Sequence, residues 1–127
     1  MNTSKKMAEI AAAALDEKMA LDMNIIDISQ VSTVADYFLV ASGRNPNQVQ
    51  AIADNVLERM GRAGYEPRQV EGYRTARWIL LDFQDVVVHV FHEEDRDFYN
   101  IERVWRDGKF LDTDEILKKM NEQKPEA

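Results

Sequence analysis

ADYFLVASGRNPNQVQ, residues 35–50, sets the frame of the chain. The run from Tyr37 to Ser42 is apolar on both alternating faces, as a central strand covered on both sides would be. Ser42-Gly43 closes it, and Asn45-Pro46 opens a helix, since asparagine caps and proline suits the first helical position. Val49, Ile52, Ala53, Val56, Leu57 and Met60 then follow the helical period, and Gly61 and Gly64 supply the stop. Strand, glycine turn and helix in this order can cradle a phosphate or can be a structural corner.

A phosphate-binding loop of the Walker kind needs glycine at both ends and a Lys-Ser/Thr pair, so that backbone N–H groups and an ammonium converge on the anion. SGRNPNQ (42–48) has one glycine and no lysine, and Pro46 removes a donor. A dinucleotide fingerprint fails too, for want of GxGxxG. The stretch therefore reads as a corner, with Gly43 expected to take the positive φ that glycine tolerates.

Nucleotidyl transfer would need two carboxylates on one strand face, two residues apart, to hold metal ions. Asp82 and Asp85 are three apart and flank a turn. Asp95 and Asp97 have the spacing but sit where a helix begins, and there the macrodipole alone favours carboxylates. His89 and His92 are the only histidines, and three residues apart on a strand they point to opposite faces. His89 reads as a packed or hydrogen-bonded residue. No serine, threonine or lysine adjoins either in sequence, which leaves open only a triad assembled in space. The absence of cysteine removes disulfides, thiolate metal sites and cysteine nucleophiles together.

Around the opening stretch, Met7, Ile10, Ala11, Ala14 and Leu15 predict a helix over about 4–18, capped by Thr3 or Ser4. MNIIDI (23–28) reads as a strand. RWILLDF (77–83) and DVVVHVF (85–91) read as a tight hairpin after a loop through Pro67 and Gly72. EEDRD (93–97) starts a helix with Phe98, Ile101, Val104 and Trp105 as its apolar face. The order αββαββα predicts an α/β fold, a mixed β-sheet with packed helices. The 127 residues, 45% hydrophobic, make one domain over 1–111 and a C-terminal extension over 112–127. In that extension Thr113 to Met120 can form a short helix and NEQKPEA (121–127) a frayed tail.

The net charge is −7, from 23 acidic and 16 basic residues. Arg44, Arg59, Arg62, Arg68, Arg74 and Arg77 are scattered among carboxylates, so no basic stripe offsets repulsion from a phosphate backbone. Direct nucleic-acid binding is disfavoured, and a basic protein partner suits the charge. No apolar run approaches the roughly 20 residues that span a bilayer. A cytoplasmic protein without membrane contact is expected.

EGYRTARWILLD (71–82) remains to be placed. On a strand, Ile79, Leu81 and Phe83 form a core face, and Trp78, Leu80 and Asp82 share the other. A large aromatic beside carboxylates suits a protein-binding patch, and it equally suits a tryptophan lying under a helix.

The blocks ADYFLVASG, QVQAIAD, EGYRTARWILLDFQDVVVHVF and FYNIERVW, in this order and spacing, resemble the ribosomal silencing factor family (RsfS, also called Iojap) over about residues 4–106. The resemblance implies a nucleotidyltransferase-like α/β domain without that fold's catalytic residues, hence neither enzyme nor cofactor. It implies a protein that binds the large ribosomal subunit through its basic fourteenth protein, on the face that meets the small subunit. Bound there, the factor would block subunit joining and lower translation when nutrients are scarce. The residues it assigns to the partner are Trp78, the acidic Glu71 and Asp82, Leu80 on the same strand face, and Tyr99. Two positions depart from the family: Gln84 stands where glycine is common at the hairpin, and SGRNPNQ where SGxSxRQ is common. Two rival readings follow, a residual nucleotide-binding or nucleotidyltransferase-type enzyme on the same fold, and a protein that self-associates as a homodimer through the Trp78 face.

Overall fold

The computed structural model describes residues 3–122, so the last five residues of the expected tail lie outside it. Helix α1 (Thr3–Glu17) leads into strands β1 (Leu21–Asp27) and β2 (Tyr37–Gly43), then α2 (Pro46–Arg62). Strands β3 (Gln69–Glu71), β4 (Trp78–Asp82) and β5 (Val86–His92) follow, then short helices α3 (Glu93–Tyr99) and α4 (Ile101–Val104), β6 (Lys109–Phe110) and α5 (Thr113–Glu122). The six strands form one mixed sheet in the order β3-β4-β5-β2-β1-β6. Only β2 and β5 run parallel; every other pair is antiparallel.

These two central strands are buried along their whole length, in keeping with YFLVASG and VVVHVFH carrying no Asp, Glu, Lys or Arg. Helices α1 and α2 cover one face of the sheet. Val49, Ile52, Ala53, Val56 and Met60 of α2, all fully buried, meet Leu39, Ala41, Ile79, Leu81, Val88 and Val90 beneath. Each such large side chain contributes about 1.5–3 kcal/mol. Asn45 caps α2 through its side-chain oxygen, which accepts from Gln48 N at 2.8 Å. Ile116 and Leu117 bring α5 onto the same core, and Lys119 Nζ lies 2.9 Å from the buried Glu9 carboxylate of α1. Ile26, Ile28, Ala35, Phe38 and Val87 make a smaller core on the opposite face.

The structure departs from the sequence reading in four places. Strands β3 and β6 appear where loops were expected, because two or three residues pairing at a sheet edge are too few to show an alternation. The helix begun at Glu93 breaks at Asn100, whose φ of +43° ends α3 and starts α4. Phe98 and Val104 consequently do not form a buried face; they are 82% and 71% exposed. Gly43 keeps a strand φ, the positive-φ glycines being Gly64 and Gly72. Its need for glycine is proximity: a Cβ there would lie 2.9 Å from Val49 Cγ2 and 3.0 Å from Val49 N.

At the β4–β5 hairpin, Gln84 takes a φ of +76°, left-handed backbone that glycine adopts without penalty. The Asp82 side chain accepts from Gln84 N at 2.7 Å and steadies the turn in its place.

Gly43→Ala should therefore force α2 away from the sheet and lower stability by about 1–3 kcal/mol, as overpacking does. Urea unfolding reads this directly. A midpoint equal to the parent's would show that α2 can shift freely at this corner.

Candidate partner-binding face

Strand β4 alternates as its sequence predicts. Ile79 and Leu81 are buried under the helices, and Trp78, Leu80 and Asp82 are half-buried on the other face. Strand register extends that face on both sides. Leu80 stands between Glu71 of β3 and His89 of β5; Trp78 stands opposite Phe91, and Asp82 between Gln69 and Val87. Residues directly opposite on paired strands share a face. Tyr99, the last residue of α3, leans on Trp78 with ring centroids 4.7 Å apart. Glu71, Trp78, Leu80, Asp82 and Tyr99 thus come together.

Glycine makes the first turn of this face feasible. Gly72 has a φ of +77°, and a Cβ on it would lie 2.0 Å from the Trp78 carbonyl oxygen. Only a residue without a side chain lets the chain leaving β3 pass so close to the start of β4. The EG of EGYRTARW is in this sense part of the tryptophan's support.

Trp78 rests on a stack. Its ring lies nearly parallel to Phe91, 25° and 5.1 Å away, and its indole Nε1–H donates to His89 Nδ1 at 3.0 Å. An indole nitrogen only donates, so His89 Nδ1 is bare and the proton sits on Nε2. Burial lowers the His89 pKa from 6.5 to about 4, keeping the imidazole neutral. Phe38 lies 4.9 Å from that imidazole, and Trp105 meets Phe38 edge-on at 5.1 Å. A continuous row of rings therefore crosses the sheet from Tyr99 to Trp105, with Leu80 packed beside it.

The two flanking carboxylates differ. Glu71 is exposed on the edge strand. Asp82 is committed within the fold, 2.9 Å from Arg68 Nη2 as well as bonded to the hairpin turn. Asp95, weighed above as a metal ligand, is 2.6 Å from Arg77 Nε.

The short helices are held down by Arg96, which sequence reading did not single out. Its guanidinium donates to Ser42 Oγ at 3.0 Å, to the Leu21 carbonyl at 3.2 Å and to Glu102 at 2.8 Å. Burial pushes the Glu102 carboxyl up, but hydrogen bonds from Arg96 and Asn24 and the Arg96 charge outweigh it and leave the pKa lowered. Ser42 is thereby an acceptor in a structural clamp. His89 and Phe91 were also missed as neighbours of Trp78, and Phe38 as the next ring in the row. A period-two reading of VVVHVFH would have put His89 and Phe91 on one side, but not beside Trp78.

The fold is that of a mixed α/β domain whose convergent face is aromatic, with Glu71 exposed at its edge. The model of the family "Ribosomal silencing factor during starvation" matches residues 1–127. The ribosomal silencing factor RsfS of Bacillus subtilis is 44% identical over 110 residues, 87% of this chain and 93% of that protein. A crystal structure from Chromobacterium violaceum superposes with a TM-score of 0.78 at 33% identity, covering 80% of this chain and 84% of that one. One from Bacillus halodurans gives 0.76 at 36% identity, covering 85% and 98%. The chain belongs to the ribosomal silencing factor family.

The His89 environment carries a pH signature. Unfolded chain takes up a proton near pH 6.5, whereas the folded imidazole resists until about 4. The contribution of neutral His89 is thus complete above pH 6.5 and lost as pH falls towards 4, by up to about 3 kcal/mol. Urea unfolding at pH 7, 5.5 and 4.5 should show the parent losing more stability than His89→Leu across this window. Equal losses would mean that His89 titrates normally.

Proposed function

We propose that this ribosomal silencing factor binds the large ribosomal subunit through its basic fourteenth protein, and that the Trp78 face makes the contact. Occupying the surface that meets the small subunit, it would block joining sterically and so repress translation when nutrients are limiting. The observation that carries the reading is Trp78 itself, a half-exposed indole seated on Phe91 and against Tyr99, with Leu80 and Glu71 on the same face. Buried aromatic anchors of this kind dominate binding energy at protein interfaces, and rim carboxylates steer a basic partner into register. A net charge of −7 suits that partner and opposes direct contact with RNA. Among the described residues no helix is long and apolar enough to cross a membrane. We place the protein in the cytoplasm with the ribosomes it would act on.

The mechanism needs no bond chemistry. Affinity comes from burying the aromatic row, and inhibition comes from volume at the joining face. Of the carboxylates weighed above for metal binding, Asp82 is engaged with Arg68 and Asp95 with Arg77. Self-association would use the same surface, since Phe98 stands 82% exposed beside Tyr99 with ring centroids 5.2 Å apart. A homodimer of that kind would compete with the ribosome, and sedimentation across a concentration range reads it.

Trp78→Ala should weaken binding to isolated large subunits by about 2 kcal/mol or more, at least roughly thirtyfold. Its melting temperature, measured alongside, separates lost contact from lost fold. Glu71→Lys should slow association and flatten its salt dependence; Asp82 is the poorer probe because it also holds the hairpin. A folded Trp78→Ala protein that still keeps the two subunits apart at parental concentrations would refute the assignment. Equal co-sedimentation with protein-free ribosomal RNA would refute the basic-protein target.

A further inference from the structure

We propose that His89 is a positioning residue for the docking face, holding the Trp78 indole in its binding orientation before any partner arrives; this rests on the Trp78 reading above. His89 is 4% exposed, and among the described residues its Nε2–H has no hydrogen-bond partner. A buried donor left unsatisfied weakens a fold, and leucine at this place would fill space without that loss. The Nε2 side of the ring therefore gives stability no reason for a histidine here. The one polar contact the ring makes is at Nδ1, and it goes to Trp78 Nε1 at 3.0 Å.

That contact does what packing cannot. Stacking on Phe91, 25° from parallel, fixes the plane of the indole. It still allows the half-turn about χ2 that keeps the plane and carries Nε1 to the other side, and the hydrogen bond to His89 selects one of the two orientations. Tyr99 meets the indole at 46° and offers its Nε1 no hydrogen bond. An anchor ordered beforehand loses little side-chain entropy on docking, and it arrives with its own N–H already satisfied. A partner then has only to cover the ring.

The test compares affinity for isolated large ribosomal subunits among single and paired variants. His89→Leu should bind about tenfold more weakly, the size of one large side chain left to order on docking, while melting at or above the parental temperature at pH 7. His89→Met is run beside it as a second apolar replacement of different shape. His89→Asn puts an amide oxygen where Nδ1 was and should recover binding to within about threefold of the parent. On a Trp78→Phe background, which lacks the indole N–H, His89→Leu should cost nothing further. The Trp78 indole proton should exchange with solvent slowly in the parent and fast in His89→Leu, a readout that needs no ribosome. Parental binding by both His89→Leu and His89→Met would overturn the proposal, as would an undiminished tenfold loss on the Trp78→Phe background. Trp78→Ala distinguishes the two readings. If it binds like the parent, the docking face fails and this role with it; if it loses binding while His89→Leu does not, only the positioning role fails.

Discussion

The parallel pairing of β2 with β5 is the constraint on which the other features depend. It aligns Phe38 with Val87, Val40 with His89 and Ser42 with Phe91. Both strands are buried throughout, so their register cannot slip by one residue without turning an apolar set to the wrong side. One consequence is at the Gly43 corner, where α2 leaves β2 close enough to exclude a Cβ. Another is at the end of β5, where His92 accepts from Glu94 N and starts α3 over the sheet. The third is across the sheet, where β4 lies against β5 and sets Trp78 over Phe91.

From this frame the two faces of the sheet receive unequal cover. Two long helices and α5 cover one side over the central strands. On the other, α3 and α4 are tied by Arg96 to Ser42 and Leu21, on β2 and β1, and the tie draws them towards that half. Trp105, at the end of α4, covers Phe38, and Tyr99, at the end of α3, reaches Trp78. Beyond these contacts β4 and β3 are left to solvent. The clamp anchors the short helices over the half of β2 and β1, and a buried guanidinium with several acceptors is not readily displaced.

Much of this was legible in the residues. The stripe of α2 carries the helical period without interruption, and ILLD alternates so cleanly that the two faces of β4 follow from the residues alone. What was not legible depends on contacts between elements. The Trp78–His89 bond joins residues on neighbouring strands and needs their register, which sequence does not carry. The break at Asn100 lies in a segment whose acidic start and apolar spacing both read as one continuous helix, and a single left-handed residue overrides them. Gly43 was expected for its backbone freedom and serves instead for its lack of volume, a difference only the approach of Val49 reveals. The grouping of Glu71 with Leu80 was implied by family resemblance, and the β3–β4 pairing gives it a geometry.

The central claim is that the open half of the sheet meets a basic protein of the large subunit. The most direct measurement places a photoreactive amino acid at position 71, exposed and in register with Leu80, and identifies what it captures on isolated large subunits. The account predicts an adduct with one basic ribosomal protein, lost when joined ribosomes replace free subunits. Capture of ribosomal RNA instead, or equal capture on small subunits, would contradict it.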